Sequence, residues 1–494
     1  MEEKDLKNIK LTVSQEKVLK QITDFVDSPH GRVFILKGYA GTGKTTLMRF
    51  LIKYLESKEK EYKLLASTGR AAKVLGNLSE KNGETSTIHS MIYTYGGFNK
   101  DIEEEEETVV DVDDTGQLHL VFNCTTLNAD KNLSTVYIVD EASMVSDIET
   151  KDVTQAKFGS GRLLKELLDY DTRKGSKYIF VGDPCQLPPI EEYYSPALMP
   201  EYFLKNFGIT AQEARLTEIM RQDDSNDIIY ASKKIRGLYN QAPEDEKVYG
   251  TQRVWGKLPF RNCKNIILHP DLEEMTDSYV AKIKKYGYNS AIMVCRSNSE
   301  CSRLSHAVRE KLGIKSARAT VGDQLLVIQN NALTGLMNGA MVRIVDISNK
   351  VERRAGLLFR NVKVMELFTH MEYEILLMED LLYMQRLNLD SYQQQSLYLD
   401  FIMRMKRKGI TQKKNPDEFK NNLFVDPYLN ALRCSFGYVI TCHKSQGGEW
   451  DDVYVSLPRS IVMNPTKEKY QWVYTAMTRA VNKLHIVKDF YIGN

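Results

Sequence analysis

No CxxC pair occurs among the seven cysteines of this 494-residue chain. The spacings that do occur, Cys295 with Cys301 and Cys434 with Cys442, suit no familiar zinc site, and a reduced, cytoplasmic protein is the expectation. No run of residues is long and apolar enough to span a membrane, and the charged opening from Met1 to Lys10 has no apolar segment of a secretory signal. There is no internal repeat. Net charge is only +2, so no global positive field attracts a polyanion, and any nucleic-acid surface has to be a local patch. What the chain does have is material for cores: 42% of residues are hydrophobic, and the length allows roughly three domains.

Around Gly38-Tyr39-Ala40-Gly41-Thr42-Gly43-Lys44-Thr45 the rest is organised. Two glycines five apart, then Lys and Thr, fit a P-loop, and the context agrees: a β-prone run, Val33 to Leu36, precedes it and a helix-prone run, Thr46 to Leu55, follows. Glycines let backbone N–H groups curl around an anion, and the helix N-terminus adds its dipole. Lys44 is placed to reach the β- and γ-phosphates and the Thr45 hydroxyl to hold Mg²⁺. The ATP-binding set is Gly38, Gly41, Thr42, Gly43, Lys44, Thr45 and Thr46. Upstream, the amide of Gln15 offers one donor and one acceptor to an adenine edge.

Further strands end in polar loops. Tyr62 to Ala66 runs into Ser67-Thr68-Gly69-Arg70-Ala71-Ala72, and Thr85 to His89 follows with hydroxyls and a His. Val136 to Val139 ends in Asp140-Glu141, which suits a carboxylate for Mg²⁺ and a second that orients and deprotonates water. Tyr178 to Val181 ends in Gly182-Asp183-Pro184-Cys185-Gln186, where Gln186 is a candidate γ-phosphate sensor. Four strands with polar cargo at one edge imply a parallel sheet covered by helices.

Between these strands lies an insertion, 91–124, read as a hairpin whose arms are Thr108 to Val112 and Gln117 to Phe122. Its acidic run, 101–114, is read as a solvated loop that repels phosphates. After residue 210 a second α/β unit is expected over 211–320 and 430–494, with Arg221 and Arg479 entering the cleft to neutralise a leaving γ-phosphoryl group. The β-rich stretch from 321 reads as a small β-module, with helical periodicity from Glu372 to about Lys408 and a basic patch at Arg404 to Lys408 and Lys413-Lys414. Phe98, Tyr93, Trp255 and Trp450 could offer stacking platforms, although packing is the commoner role of such residues.

These segments occur in the order of the motifs of a superfamily one helicase, and the set resembles the group B, RecD- and Dda-like branch with a UvrD-like C-terminal motor domain. Thr68 to Ala72, Ser86 to His89, Ile440 to Gly447 and Asn338 to Ile344 carry the likeness. The resemblance implies two RecA-like parallel-sheet motor domains with ATP and Mg²⁺ between them. The first is 1–90 with 125–210, and 91–124 is a strand-separating pin. The second is 211–320 with 430–494, and 321–429 is an SH3-like β-module with a helical insertion. It places Gln15, Gly447 and Glu449 at the nucleotide, and Ser67, Thr68, His89, His443 and Lys444 along the DNA. A monomeric motor moving 5′→3′ on single-stranded DNA and opening forked or 5′-tailed duplexes is the implied activity. An RNA-directed motor, a 3′→5′ motor and a DNA-binding switch that does not unwind stay open.

Overall fold

A computed structural model describes residues 10–76, 78, 85–98, 119–127, 134–149, 156–218, 226–384 and 386–493. The first domain is a six-stranded sheet with the order Thr85–Thr87, Glu61–Ala66, Thr135–Asp140, Lys177–Gly182, Val33–Gly38, Ala211–Leu216. All its neighbours are parallel. Its central strands are apolar without interruption because both faces are covered. Phe34, Leu36, Ile138 and Val181 face one core, and Val33, Ile35, Val139 and Phe180 face the other. One cover is the helix Val13–Asp27, which is closed at its start by a reciprocal Thr12–Gln15 capping box and buries Val18, Ile22, Phe25 and Val26 at helical spacing.

The boundary expected after 210 falls inside this sheet. Ala211–Leu216 pairs along the whole of Val33–Gly38, so the first domain extends at least to Leu216. Arg221 lies outside the described residues.

The second domain is a five-stranded parallel sheet with the order Ile266–His269, Ala480–Val487, Trp450–Val455, Ala291–Cys295, Val439–Thr441. Alternation recurs: Ile292, Val294, Val453 and Val455 face one core, and Ala291, Met293, Cys295 and Tyr454 face the other. That second core is shared with a five-stranded antiparallel β-module. Its order is Glu372–Met378, Leu357–Glu366, Met341–Arg354, Gln324–Val327, Cys434–Phe436.

Cys434–Phe436 and Val439–Thr441, only two residues apart, belong to two different sheets. The chain bends at Gly437, where a Cβ would lie 2.8 Å from the Leu325 carbonyl carbon. The helix read from Glu372 starts only at Ser391–Arg407, followed by Pro416–Val425. Glu372–Met378 is a strand that pairs Ile375 with Val362 and Leu377 with Arg360.

The two insertions meet. Tyr93–Phe98 pairs antiparallel with Leu120–Cys124, which also lies parallel to Ala156–Phe158. The expected arm Thr108 to Val112 and the acidic run lie outside the described residues. Phe98 packs edge-on to Tyr398 at 5.1 Å, and Tyr95 packs on Phe424 at 5.4 Å, so the helical insertion props the hairpin. Arg404, expected in a basic patch, is occupied by Asp400 at 2.8 Å and by Asp426.

Candidate active site

The carboxyl edge of the first sheet opens onto a cavity of about 720 Å³. Its walls include Gly41 to Thr46, Asp140, Glu141 and Gln186 from the first domain, and Gly447, Glu449 and Arg479 from the second. Gly41 and Gly43 hold φ of 76° and 80°, the left-handed backbone a loop curling around an anion requires. Lys44 heads the helix Lys44–Ser57 and folds over the loop, its Nζ donating to the carbonyls of Gly38 at 2.7 Å and Tyr39 at 3.1 Å. A Cβ at Gly38 would lie 2.7 Å from the Lys44 side chain, so glycine there is what admits the lysine.

Gln15 is placed differently from the expectation. Its Nε2 donates to the Thr42 carbonyl at 3.2 Å and its Oε1 accepts from the Thr12 N–H at 3.1 Å. One end of the amide braces the P-loop and the other closes the helix cap.

Asp140 and Glu141 form a strained acidic pair. Glu141 has φ of 49°, uncommon for a side chain with a Cβ, and its carbonyl is held by the Ser67 hydroxyl at 3.2 Å and the Met144 N–H at 3.1 Å. Burial first, and then the neighbouring Glu141 charge, push the Asp140 carboxyl up to about 7. A cation at this point would relieve that cost. Among the described residues no three His, Cys, Asp or Glu side chains cluster as a metal cage. The Gln186 Oε1 is buried with no hydrogen-bond partner among the described residues.

Arg479 is buried and aligned by its own domain, donating to the carbonyls of Thr475 at 3.1 Å and Gly448 at 3.2 Å. Across the cleft, Tyr474 on the helix Lys467–Met477 donates to Asp183 at 2.8 Å and accepts from the P-loop N–H of Ala40 at 3.0 Å. The Thr475 hydroxyl accepts from the Leu187 N–H at 2.9 Å, and Gln471 donates to the Gln186 carbonyl at 3.1 Å. The loop after Lys177–Gly182 is thus gripped by the second domain. Nothing in one sequence pairs Tyr474 with Ala40.

The residues expected along DNA do not line this cavity. Thr68 caps its helix by accepting from the Ala71 N–H at 3.2 Å. His89 packs against Tyr93 and Phe158, and burial lowers its pKa. Burial also lowers His443 and brings Lys444 down to about 8. Lys444 faces a separate small cavity beside Thr441, Asn298 and Cys301. Of the candidate stacking platforms, Phe98 and Tyr93 are buried in packing, Trp255 leans on Phe490, and Trp450 is covered by Arg70.

Residues 10–242 match the model of an AAA domain family, and residues 436–487 match that of a UvrD-like helicase C-terminal domain. The first match lies largely on the six-stranded sheet and the second on strands of the five-stranded parallel sheet. An uncharacterized protein of Methanocaldococcus jannaschii is 25% identical over 97% of this chain and 38% of its own length. A mimivirus protein, also uncharacterized, is 24% identical over 95% of this chain and 98% of its own length. The ATP-dependent RecD2 DNA helicase of Deinococcus radiodurans is 28% identical over 47% of this chain and 24% of its own. This chain therefore spans well under half the length of two of these relatives. A crystal structure of Pif1 helicase from Bacteroides with ADP-AlF3 and single-stranded DNA overlays with a TM-score of 0.49 at 17% identity, covering 98% of this chain and 94% of that one. The cavity is lined from both matched segments, by Gly41 to Thr46, Asp140, Glu141 and Gln186 of the first and by Gly447, Glu449 and Arg479 of the second.

Proposed function

We propose that this protein is an ATP-dependent DNA helicase that moves 5′→3′ on single-stranded DNA and separates the duplex ahead of it. The observation that carries the reading is that Arg479 of the second motor lines the same cavity as Lys44, Asp140, Glu141 and Gln186 of the first. Lys44 and Arg479 would neutralise the phosphates, Glu141 would take a proton from the attacking water, and Gln186 would respond to the γ-phosphate. Mg²⁺ held by Thr45 and Asp140 would offset phosphate charge. Arg221 is proposed as a second cation here from its motif alone. Gly447 and Glu449 join the nucleotide set from the cavity wall.

Coupling follows from the grip on the 183–187 loop. Hydrolysis changes what Gln186 faces, and Tyr474, Thr475 and Gln471 carry that change to the second motor, which shifts its hold on the strand. The propped hairpin is proposed as the separating pin, the β-module as SH3-like, and Ser67, Thr68, His89, His443 and Lys444 as residues near the DNA track. Polarity rests on the RecD- and Dda-like motifs, and the RecD2 relative supports DNA as the track.

The test is unwinding of 5′-tailed and 3′-tailed duplexes, with ATPase stimulation by single-stranded DNA and by RNA. Opening of the 5′-tailed DNA duplex alone is expected. Opening only from 3′ tails would reverse the polarity. RNA stimulation without DNA stimulation would change the track, and ATPase activity indifferent to both would leave a switch rather than a motor.

A further inference from the structure

Arg70 is a cation in the cleft with no acid paired to it among the described residues. It comes from the helix Gly69–Gly76 of the first motor, lines the cavity with Lys44 and Arg479, and lies over the Trp450 ring of the second motor at 4.1 Å. Among the described residues it makes no hydrogen bond or ion pair. Three other buried arginines each have a side-chain acceptor: Arg309 has Asp323 at 2.8 Å, Arg360 has Glu379 at 2.9 Å, and Arg433 has the Gln394 amide oxygen at 3.0 Å. Burial pushes Arg70 down to about 10, and the charge that adds to the effect is Arg479, which has the same sign. Two sequestered guanidiniums side by side are costly until an anion joins them.

The slot is built for this side chain. A Cβ at Gly448 would lie 2.8 Å from the Arg70 Cζ and 2.6 Å from the Trp450 ring. Glycine there leaves room for the guanidinium over the indole. A guanidinium held over a ring face keeps N–H groups that can donate in a fork, the geometry that suits phosphate oxygens.

We propose that Arg70 binds a phosphoryl oxygen of the nucleoside triphosphate, as a guanidinium supplied by the first motor beside Arg479 and held in place by Trp450. This rests on the cavity being the nucleotide site. Phosphates of a DNA strand are the other source of the same chemistry, and the experiment separates the two.

In the full-length chain, affinity for the fluorescent analogue mant-ATP and the steady-state KM for ATP are measured for wild type, Arg70→Ala, Arg70→Lys and Gly448→Ala. Binding of a labelled poly-dT oligonucleotide is measured without nucleotide. Arg70→Ala is expected to weaken mant-ATP and raise KM by about 10- to 100-fold, the range for one charge-assisted hydrogen bond, with poly-dT affinity within about twofold. Arg70→Lys should recover part of the loss through its charge. Gly448→Ala, which crowds the slot but keeps the arginine, should weaken mant-ATP in the same direction, and it stands in for Arg70→Ala if that variant does not fold. Unchanged mant-ATP affinity in Arg70→Ala and Gly448→Ala would overturn the assignment. So would a loss confined to poly-dT, which would give Arg70 to the strand. A wild-type protein that binds no mant-ATP would overturn the reading of the cavity itself.

Discussion

Charge is taken out of water in two regions of this molecule, and the two treat it in opposite ways. In the scaffold of the second domain and its β-module, buried acids have cations in reach: Asp452 has Lys282 at 2.8 Å, Asp323 has Arg309 at 2.8 Å, and Glu379 has Arg360 at 2.9 Å. In the cleft, like sits beside like, Asp140 next to Glu141 and Arg70 next to Arg479. Paired ions fix architecture. Unpaired ones, whose solvation has been removed without compensation, mark where a ligand brings the missing sign.

The sharpest way to break that contrast is to remove a cleft cation and find nothing lost. Arg479→Ala is expected to lower kcat by about 10³-fold or more, as for other arginines that meet a transferring phosphoryl group, while the thermal midpoint stays close to wild type. A turnover near wild type would return Arg479 to the scaffold. The converse is Asp323→Ala. It strands Arg309 and strips the partner from the Tyr438 hydroxyl, which donates to Asp323 at 2.8 Å. A loss of about 3–5 kcal/mol is expected in the urea transition that reports this unit, with the KM for ATP in the surviving folded protein within about twofold. A selective KM change with no loss of stability would mean that the paired region also serves the nucleotide.

Tyr474→Phe probes the seam between the regions. The hydroxyl joins Ala40 and Asp183 across the cleft, and burial first, then Asp183, raise its pKa well above the ordinary phenol value, so it stays a neutral donor. Its loss is expected to cost about tenfold in kcat/KM, the worth of one or two hydrogen bonds, and to reduce stimulation by single-stranded DNA more than basal turnover. Equal reduction of both would make Tyr474 a P-loop support and not a link between motors.

How much of this could be read in the chain depends on whether the controlling contact is local. The P-loop and Asp140-Glu141 were legible because each directly follows the strand that positions it. The Glu372–Met378 strand was not, because residues four apart, such as Leu377 and Leu381, satisfy helical spacing just as alternate residues of a strand can. The contacts that Gln15 makes were not legible. An amide able to serve a base serves a helix cap and a loop carbonyl equally well, and only the fold decides. Arg70 stood in a recognised motif, yet its meaning comes from Trp450, 380 positions away in the other motor. The hairpin pairs Tyr93–Phe98 with Leu120–Cys124, and no local turn signal joins strands that far apart.

The smallest expected effect is one of pH, and it has opposite signs in the two regions. Burial first, and then Glu141, raise Asp140 from 3.8 to about 7, so the folded protein keeps a proton that the unfolded chain releases. Stability from this group is fully present below about pH 4 and is lost as pH rises through about 7. Asp452 runs the other way: burial pushes it up, but His485 and Lys282 beside it more than offset this and hold it below the usual carboxylate range. Its stability is present above the ordinary carboxylate pKa and is lost as pH falls through the lowered one. In magnesium- and nucleotide-free buffer, Asp140→Asn should therefore raise the thermal midpoint more at pH 8 than at pH 5, and Asp452→Asn should lower it at both. An Asp140→Asn midpoint difference that stays flat from pH 5 to pH 8 would mean this carboxylate is ionised throughout, as a scaffold acid would be, and the division between cleft and scaffold would have to be redrawn around it.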